Sequence, residues 1–228
     1  MQKLFASLGQ MLFPDLCVVC QDYLTNKERC ICDLCSYTLP KYEQSNIENN
    51  SIEKALWGRA KLAAATSLFR FDSTQDVQQI LHQIKYRGNQ KLAIYMGEQL
   101  GLLIRNQKWF DSVDTILPVP LHPKKYNLRG YNQSLLLAQG ILNVTMLPIS
   151  EAVERIHYVR SQTKLNRYER FSNVEMVFKL TKPEELRNKN ILIVDDVFTT
   201  GATIEAMLRA LKDVDLMEVM FASLAVTI

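Results

Sequence analysis

The chain has 228 residues and a formal net charge of +3, with 47% hydrophobic and 22% charged residues. This composition allows one large domain, or one domain with a small appendage, and its mild positive charge does not by itself indicate a nucleic-acid partner. The sequence has no internal repeat, no low-complexity tract and no apolar run near the ~18 residues of a membrane span, which argues against repeat and membrane-spanning classes.

The amino terminus, MQKLFASLGQMLFPDLC, has apolar patches around one lysine but lacks the continuous apolar core of a signal peptide. This pattern predicts a short amphipathic helix, so we expect a cytoplasmic protein. Disulfides are uncommon in that compartment, and this expectation decides how the cysteines are interpreted.

All five cysteines fall between positions 17 and 35, as two C-x-x-C pairs and one extra residue. Two such pairs can complete a tetrahedral site, so they predict structural zinc, with redox-active thiols or buried apolar cysteines as alternatives. A module of about 45 residues cannot build a sufficient core alone, which makes a metal site physically sensible. Cys30 can form only a wider C-x-x-x-x-C pair and is left out of the ligand set. The predicted ligands are Cys17, Cys20, Cys32 and Cys35.

The sequence after this module changes character, because residues 40–53 are polar and rich in asparagine. We therefore predict three parts: a zinc-ribbon module at 1–45, a linker at 46–62 and an α/β domain at 63–228.

The predicted α/β domain begins with a strand at 63–71, and apolar residues at helical spacing then predict two helices, the second at about 91–105. The corner between these helices, KYRGN, contains Lys85 and Arg87. Two interpretations remain open for this pair of cations. They are solvated residues in a last helical turn, or they face a phosphate site or a partner.

A second buried-strand pattern, residues 115–120, is followed closely by Lys124 and Lys125. Open α/β folds bind ligands where parallel strands end, so these lysines are either ligand-facing or solvated loop residues. Arg129 follows in the same loop, before a helix for which Asn132 is the predicted N-cap. It is a further ligand-facing candidate.

Five cations and one acid lie within residues 155–170, which we call the basic loop. This loop has no clean period and is too polar to form a core. Its cations can neutralise nucleic-acid phosphates while the interleaved Tyr158, Tyr168 and Phe171 stack on bases, and a solvated charge run is the plainer alternative. The candidate cations within it are Arg160, Lys164 and Arg167.

The segment at 191–203, ILIVDDVFTTGAT, carries the most specific chemistry. Its first four residues predict a strand buried on both faces, which we expect to end at Asp195 and Asp196. The Thr/Gly turn that follows opens a predicted helix, so its N–H groups and hydroxyls can cradle a phosphate. The adjacent carboxylates suit sugar hydroxyls or a divalent cation, which predicts a phosphorylated ribose rather than an ordinary acidic turn. The predicted cradle consists of Thr199, Thr200, Gly201, Ala202 and Thr203.

The predicted fold class follows from the order of the elements. Strand candidates near positions 66, 116, 152, 192 and 220 alternate mainly with helices. This alternation predicts a parallel or mixed α/β sheet flanked by helices.

At the acidic segment the sequence resembles a known family. VDDVFTTGAT is similar to the phosphoribosyl pyrophosphate (PRPP) signature of type I phosphoribosyltransferases. The resemblance implies that Asp195 and Asp196 hold the ribose 2′- and 3′-hydroxyls, that the TTGAT turn holds the 5′-phosphate, and that Mg²⁺ accompanies PRPP. It also implies that the lysines after the second strand meet pyrophosphate and that the basic loop closes over PRPP and excludes water. The implied catalytic cations are Lys124, Lys125, Arg160, Lys164 and Arg167.

The order of the motifs makes the resemblance more specific than the PRPP signature alone. A double C-x-x-C followed by KYRGN, PVPLHPKK, RGYNQ, SQTKLNRYER and VDDVFTTGAT resembles the ComF family of competence proteins over nearly the whole chain. This family implies a zinc ribbon on a type I phosphoribosyltransferase-like domain, and a role in natural transformation, in which imported single-stranded DNA enters the cytoplasm with a helicase partner. We predict DNA contacts at Lys85, Arg87, Arg129, Arg160, Lys164 and Arg167.

Two other functions remain open at this point. One is a true phosphoribosyltransferase that transfers the phosphoribosyl group from PRPP to a nucleobase or another acceptor. The other is a PRPP-sensing regulator without turnover. All three functions predict PRPP or a nucleotide at the Asp–Asp–TTGAT site, and no sequence feature identifies a base-specificity pocket.

Overall fold

The computed structural model describes residues 15–43, 48–71, 75–156 and 177–227. Its strands, in chain order, are β1 (Ala64–Arg70), β2 (Thr115–Pro118), β3 (Val153–Arg155), β4 (Phe178–Leu180), β5 (Ile191–Phe198) and β6 (Val219–Val226). Its α-helices are α1 (Asp33–Thr38), α2 (Ser51–Ala55), α3 (Gln75–Tyr86), α4 (Gln90–Arg105), α5 (Pro123–Arg129), α6 (Gln133–Thr145) and α7 (Ala202–Ala210). Short 3-10 helices occupy Phe110–Ser112 and Pro183–Glu185. None of the helices in these ranges has the length and apolar composition needed to cross a membrane.

Four strands form the central sheet in the order β1-β6-β5-β2, and every neighbouring pair is parallel. Parallel strands require crossover connections, and helices on both faces leave the strands buried on both sides. The first four residues of β5 are all fully buried, which explains their continuous apolar run. The predicted α/β class with a mainly parallel sheet is confirmed.

The core lies in two layers because side chains along β5 alternate between the faces of the sheet. Leu192 and Val194 belong to the layer that contains α3, α4 and α6. Ile191 and Ile193 belong to the layer that contains α2 and α7. The sheet is therefore held between two helical layers, and the residues at its carboxyl edge have a rigid support.

Helices α4 and α6 approach each other through glycine. A Cβ atom added at Gly97 would lie 2.2 Å from the carbonyl oxygen of Leu137, and one added at Gly140 would lie 2.1 Å from that of Ile94. Backbone contact at this distance is possible only without side chains. This close crossing fixes α6, whose first turn carries Ser134, against the sheet.

Two expectations about strands are wrong. Strand β5 does not end at the two acids but continues to Phe198, because its backbone keeps pairing with β6 at Asp195–Ser223 and Phe198–Val226. Strand β3, near position 152, is not one of the four strands of the main sheet, although Ile149 just before it forms an isolated parallel bridge with Ile116 of β2. Instead β3 pairs with β4 in a separate antiparallel ladder at the two ends of the undescribed segment 157–176.

The region predicted to be a loop after β2 contains helix α5. His122 caps this helix through Nδ1, which accepts the N–H of Lys124 at 3.2 Å, and Pro123 occupies its first turn, where proline is well tolerated. Lys124 and Lys125 therefore lie in the first turn of a short helix rather than in an extended loop.

The described part of the range 46–62, which is predicted as a linker, includes α2 and packs on the sheet. Asn50 caps α2 by accepting the N–H groups of Ile52 and Glu53, and its amide donates to the carbonyl of Ala65 at 2.8 Å. Ile52 and Leu56 are fully buried. This segment is thus part of the packed structure, while the domain boundaries themselves stay a prediction.

The cysteine-rich segment packs directly against the helices of the main sheet. Cys17, Val18 and Leu39 belong to the same core layer as α3 and α4. The Gln79 amide on α3 donates to the carbonyl of Val18 at 2.6 Å, and Arg29 forms a 2.7 Å ion pair with Glu98 on α4. The amino-terminal module therefore has a defined docking surface on the α/β part.

Candidate functional site

A cleft of about 560 Å³ lies at the carboxyl edge of the sheet, where β2 and β5 end. Open α/β folds bind their ligands at this position. Asp195 and Asp196, which we call the acid pair, line the cleft from β5 and are only 8% and 6% exposed. The fold thus presents two nearly buried carboxyl groups at its ligand-binding edge.

Asp195 is held by hydrogen bonds from two directions. The Ser134 hydroxyl donates to Asp195 Oδ1 at 3.0 Å, and the backbone N–H of Asp196 donates to the same oxygen at 2.8 Å. Burial, with the charge of Asp196 as a second cause, raises the pKa of Asp195 to about 7. The two hydrogen-bond donors and the charge of Lys85 lower the pKa of Asp195, but they do not cancel the effect of burial. A cation or hydroxyl donor from a ligand would relieve this cost.

Asp196 is paired with a cation from another element. The Nζ atom of Lys85, in the last turn of α3, lies 2.9 Å from Asp196 Oδ2. The Lys85 side chain is 23% exposed, so the pair is partly shielded from water. The structure therefore places Lys85 in the lining of the cleft, while its role toward a phosphate or a partner stays a prediction.

Residues Thr199–Thr203, which we call the phosphate loop, surround a small cavity of about 50 Å³ next to the acid pair. Gly201 is the N-cap of α7 and has a left-handed backbone with φ of 79°. Among the described residues no side chain caps this helix, so the N–H groups of its first turn remain available for a ligand. The partial positive charge of a helix start favours an anion such as phosphate.

Two residues outside the predicted site support the phosphate loop, and both come from the range predicted as a linker. The guanidinium of Arg59 donates to the carbonyl of Thr200 at 2.7 Å. A Cβ added at Gly201 would lie 2.5 Å from Leu56 Cδ2, so Leu56 packs directly against the glycine. The only local signal for this segment was the i, i+4 spacing of Ile52 and Leu56, which is typical of one buried helical turn.

Three further cations line the cleft, and two predicted ones do not. Lys125, Arg129 and Arg155 reach the cleft wall. Lys124 and Arg87 are exposed and do not line it. Arg160, Lys164 and Arg167 of the basic loop lie outside the described residues. The cleft lining thus combines the acid pair and residues of the phosphate loop with the cations Lys85, Lys125, Arg129 and Arg155.

Four cysteines form a second candidate site away from the cleft. The Sγ atoms of Cys17, Cys20, Cys32 and Cys35 all lie within 4.8 Å of one another. A tetrahedral Zn–S₄ site needs sulfur atoms about 3.8 Å apart, as follows from Zn–S bonds of about 2.3 Å, and Cys20 Sγ and Cys32 Sγ are 3.7 Å apart. The cluster therefore fits a metal ion such as zinc, and Cys30 is not among its ligands.

The backbone around this cluster favours thiolate at one position. Burial raises the pKa of Cys17, but backbone N–H groups, first that of Cys32, outweigh burial and lower the pKa to about 7. The Cys32 N–H lies 3.4 Å from Cys17 Sγ. Burial instead raises the pKa of Cys35, so a bound cation would be needed to hold all four sulfurs as thiolates.

Residues 132–226 match the phosphoribosyl transferase domain family. The match begins at the N-cap of α6 and ends with β6, so it contains Ser134, the acid pair and the phosphate loop.

Three curated relatives extend the comparison beyond this domain. Competence protein F of Haemophilus influenzae is 26% identical over 151 residues, which cover 64% of this chain and 66% of that protein. The DNA utilization protein YhgH of Escherichia coli (strain K12) is 30% identical over 144 residues, or 61% of this chain and 63% of that protein. Competence protein ComFC of Streptococcus pneumoniae is 24% identical over 198 residues, or 83% of this chain and 84% of that protein. The matched part thus spans slightly less than two thirds of the first two relatives.

Proposed function

We propose that this chain, as a member of the ComF family of competence proteins, binds PRPP with Mg²⁺ and acts in natural transformation. Its phosphoribosyl transferase domain supports the ligand part of this proposal. In this role it would assist the import or handling of single-stranded DNA in the cytoplasm, together with a helicase. Relatives named for competence and for DNA utilization support the cellular part of the proposal.

One observation carries the ligand assignment: a buried acid pair and an uncapped helix start meet in one cleft. The 5′-phosphate would take the N–H groups of the phosphate loop, which lacks a side-chain cap. The ribose hydroxyls would donate to Asp195 and Asp196. A bound Mg²⁺ would supply positive charge for the pyrophosphate oxygens and the acid pair.

The cations of the cleft suit the pyrophosphate group. Lys125 and Arg155 line the same cleft as the acid pair. We propose that they meet pyrophosphate, with Lys124 and the basic-loop residues Arg160, Lys164 and Arg167 joining when ligand is bound. Cations in this position stabilise a dianionic or trianionic group.

The residues proposed to contact DNA fall into two groups by their position relative to the cleft. Lys85 is paired with Asp196, so its first role belongs to the PRPP site. Arg87 is exposed outside the cleft and Arg129 lies at its wall, which leaves both able to meet a phosphate backbone. Zinc at the four cysteines would fix the amino-terminal module on α3 and α4.

A second candidate function, phosphoribosyl transfer to an acceptor, uses the same cleft. The observation that favours it is the placement of Lys125, Arg129 and Arg155 beside the acid pair, because departing pyrophosphate needs nearby cations. A PRPP sensor without turnover needs the same binding residues and no acceptor.

Calorimetric titration of the zinc-loaded protein with PRPP and Mg²⁺ tests the proposal, with pyrophosphate release measured in the same samples. Nucleobases and single-stranded DNA are added in separate arms. Binding without pyrophosphate release, together with salt-dependent DNA binding, is the expected result. Release that depends on an acceptor would establish the transferase instead, and absence of PRPP binding would contradict all three functions.

A further inference from the structure

Lys85 differs from the other lysine and the arginines in the lining of the cleft, because it is already bound to the acid pair. Its Nζ atom lies 2.9 Å from Asp196 Oδ2. Among the described residues, those other cations of the lining form no ion pair with either acid, and the guanidinium of Arg129 donates instead to Gln133 Oε1. Lys85 is therefore committed to the carboxyl groups before any ligand arrives.

The ammonium of Lys85 covers the atom that a divalent cation would take. Adjacent carboxylates suit Mg²⁺, which binds oxygen ligands, so the acid pair fits this ion. Asp196 Oδ2 is buried and, apart from its ion pair with Lys85, has no hydrogen-bond partner in the described part of the chain. Two cations at a single carboxylate oxygen repel each other, so Mg²⁺ could reach Oδ2 only by displacing the ammonium. Lys85 thus stands where a divalent cation would otherwise be needed.

The charge of Lys85 is close to what the acid pair requires. Burial and the charge of Asp196 raise the pKa of Asp195 to about 7, so Asp195 is about half protonated near neutral pH. The ammonium also lowers the pKa of Asp195, which shows that its charge acts on both acids. With one ammonium beside them, the two acids therefore retain at most about one net negative charge. Hydroxyl donors from a ribose can meet that remainder without a metal ion, because hydrogen bonds to a carboxylate are strong.

The carboxyl end of α3 is anchored, and this anchor holds the ammonium in place. The Tyr131 hydroxyl donates to the carbonyl of Ile84, the residue before Lys85, and Ile84 is fully buried. The Lys85 side chain is itself only 23% exposed. An anchored and partly shielded ammonium loses little further freedom when a ligand binds, whereas a solvated lysine would have to be ordered at that step. Lys85 is therefore a charge that is in position before binding.

We propose that Lys85 is a resident counter-ion of the acid pair, which allows the cleft to bind ribose 5-phosphate without a divalent cation. Mg²⁺ then enters with the pyrophosphate group of PRPP, whose oxygens bring additional negative charge. This inference rests on the proposed function, which assigns the ribose hydroxyls to Asp195 and Asp196. It makes the two ligands differ, because PRPP binding depends on Mg²⁺ and ribose 5-phosphate binding does not.

The test measures ribose 5-phosphate and PRPP binding by titration calorimetry, with Mg²⁺ and in buffer that a chelating resin has freed of Mg²⁺. Zinc-loaded protein is used, and soluble chelators are avoided because they would remove metal from the cysteine cluster. The affinity of wild type for ribose 5-phosphate should differ by less than about twofold between the two buffers, and its affinity for PRPP should fall at least about tenfold without Mg²⁺. Ribose 5-phosphate binding that requires Mg²⁺ in wild type would overturn the inference.

Variants of Lys85 test whether the ammonium is the cause. Lys85→Met should bind ribose 5-phosphate at least about tenfold more weakly in the Mg²⁺-free buffer, and should recover part of this affinity with Mg²⁺, which can then reach Asp196. Lys85→Arg keeps a cation and should stay independent of Mg²⁺. Lys212→Met changes an exposed lysine outside the cleft and serves as the matched control. Equal ribose 5-phosphate affinities of Lys85→Met and wild type without Mg²⁺ would contradict the counter-ion role.

The same experiments separate failure of this inference from failure of the proposed function. Urea unfolding shows whether each variant is folded, and if Lys85→Met is not, wild type and Lys85→Arg decide in its place. A requirement of ribose 5-phosphate binding for Mg²⁺ would overturn the counter-ion role alone. Failure of both ligands to bind wild type in the presence of Mg²⁺ would overturn the proposed function, and the counter-ion role with it.

Discussion

Lys85 Nζ lies 2.9 Å from Asp196 Oδ2, and this ion pair joins the end of α3 to the end of β5. No cation in the described part of the chain forms an ion pair with the neighbouring Asp195, which instead accepts hydrogen bonds from Ser134 and from the Asp196 backbone. Two adjacent acids on one strand are therefore stabilised by different means. Their roles toward a ligand should differ for the same reason.

Replacement of Lys85 by methionine should destabilise the unliganded protein. The change leaves the mostly buried Asp196 carboxyl group without its ion-pair partner, and loss of one partner from a shielded pair costs about 1–3 kcal/mol after allowance for its partial exposure. The free energy of unfolding in urea measures this effect. Arg87→Met removes an exposed cation two residues away and should change the unfolding energy little. Equal effects of the two substitutions would contradict a specific role of the Lys85–Asp196 pair.

The buried acid should make stability depend on pH. The folded-state pKa of Asp195 is raised to about 7 from the ordinary value of 3.8. The folded state therefore binds a proton more tightly than the unfolded state. The stabilisation that Asp195 gains from this tighter protonation is fully present below the pKa that Asp195 has in the unfolded state. It is lost as the pH rises through the pKa that Asp195 has in the folded state.

Asp195→Asn removes this titration and provides the comparison. Relative to this variant, the wild-type protein should lose stability between about pH 4 and pH 7, by at most about 1.4 kcal/mol per pH unit. Urea unfolding across the range measures the difference. Asp213→Asn changes an exposed acid and should leave the wild-type profile intact. Parallel stability profiles for wild type and Asp195→Asn would show that Asp195 titrates normally.

Gly201→Ala should disturb the phosphate loop. The glycine has φ of +79°, and the new Cβ would lie 2.5 Å from Leu56 Cδ2, so the substitution adds strain and a collision. We expect PRPP affinity to fall at least about tenfold, which corresponds to a cost near 1.4 kcal/mol, within the usual cost of a left-handed alanine. Gly58→Ala is the matched control, because Gly58 has φ of +75° with nothing within 4 Å of the added carbon.

A second variant separates the two causes of that loss. Leu56→Ala in the Gly201→Ala background removes the colliding atoms and leaves the backbone strain. Partial recovery of PRPP affinity is expected. If Gly58→Ala and Gly201→Ala weakened PRPP binding equally, a local role of the phosphate loop would be contradicted.

Substitutions of different cysteines should have clearly different effects on the zinc content of the protein. Cys17→Ser removes a ligand of the four-cysteine cluster, so we expect loss of zinc and a loosened amino-terminal module with the central sheet preserved. Cys30→Ser changes a cysteine outside the cluster and should retain about one zinc per chain. Metal analysis by mass spectrometry, with circular dichroism for the fold, measures both. Loss of zinc in both variants, or in neither, would contradict the assigned ligand set.

Local patterns were sufficient to predict the parts of the structure that are continuous in sequence. The buried run before Asp195, the glycine at the start of α7 and the two C-x-x-C pairs each carry their own chemistry within a few residues. The α/β class followed from the alternation of such segments. The same local reasoning ended β5 too early, because a strand stops where its partner stops, and β6 continues to pair as far as Val226.

The remaining parts of the site depend on contacts between distant segments. Ser134 reaches Asp195 across 61 positions of the sequence, and Arg59 reaches Thr200 across 141. Neither residue has a local pattern that reveals its target, since only the α4–α6 crossing and the packing of α2 bring them there. Lys85 lies in the recognisable motif KYRGN, but the sequence did not show which way the Lys85 side chain points. That direction depends on how α3 is rotated against the sheet.

The most direct test of the central claim is PRPP binding by the double variant Asp195→Ala, Asp196→Ala, compared with wild type by calorimetry in the presence of Mg²⁺. Zinc content and circular dichroism of both proteins show whether the fold and the cysteine cluster are preserved. The account predicts that the double variant keeps its zinc and its sheet and loses PRPP binding. Normal PRPP binding by a correctly folded double variant would contradict the assignment of the acid pair and the cleft around it.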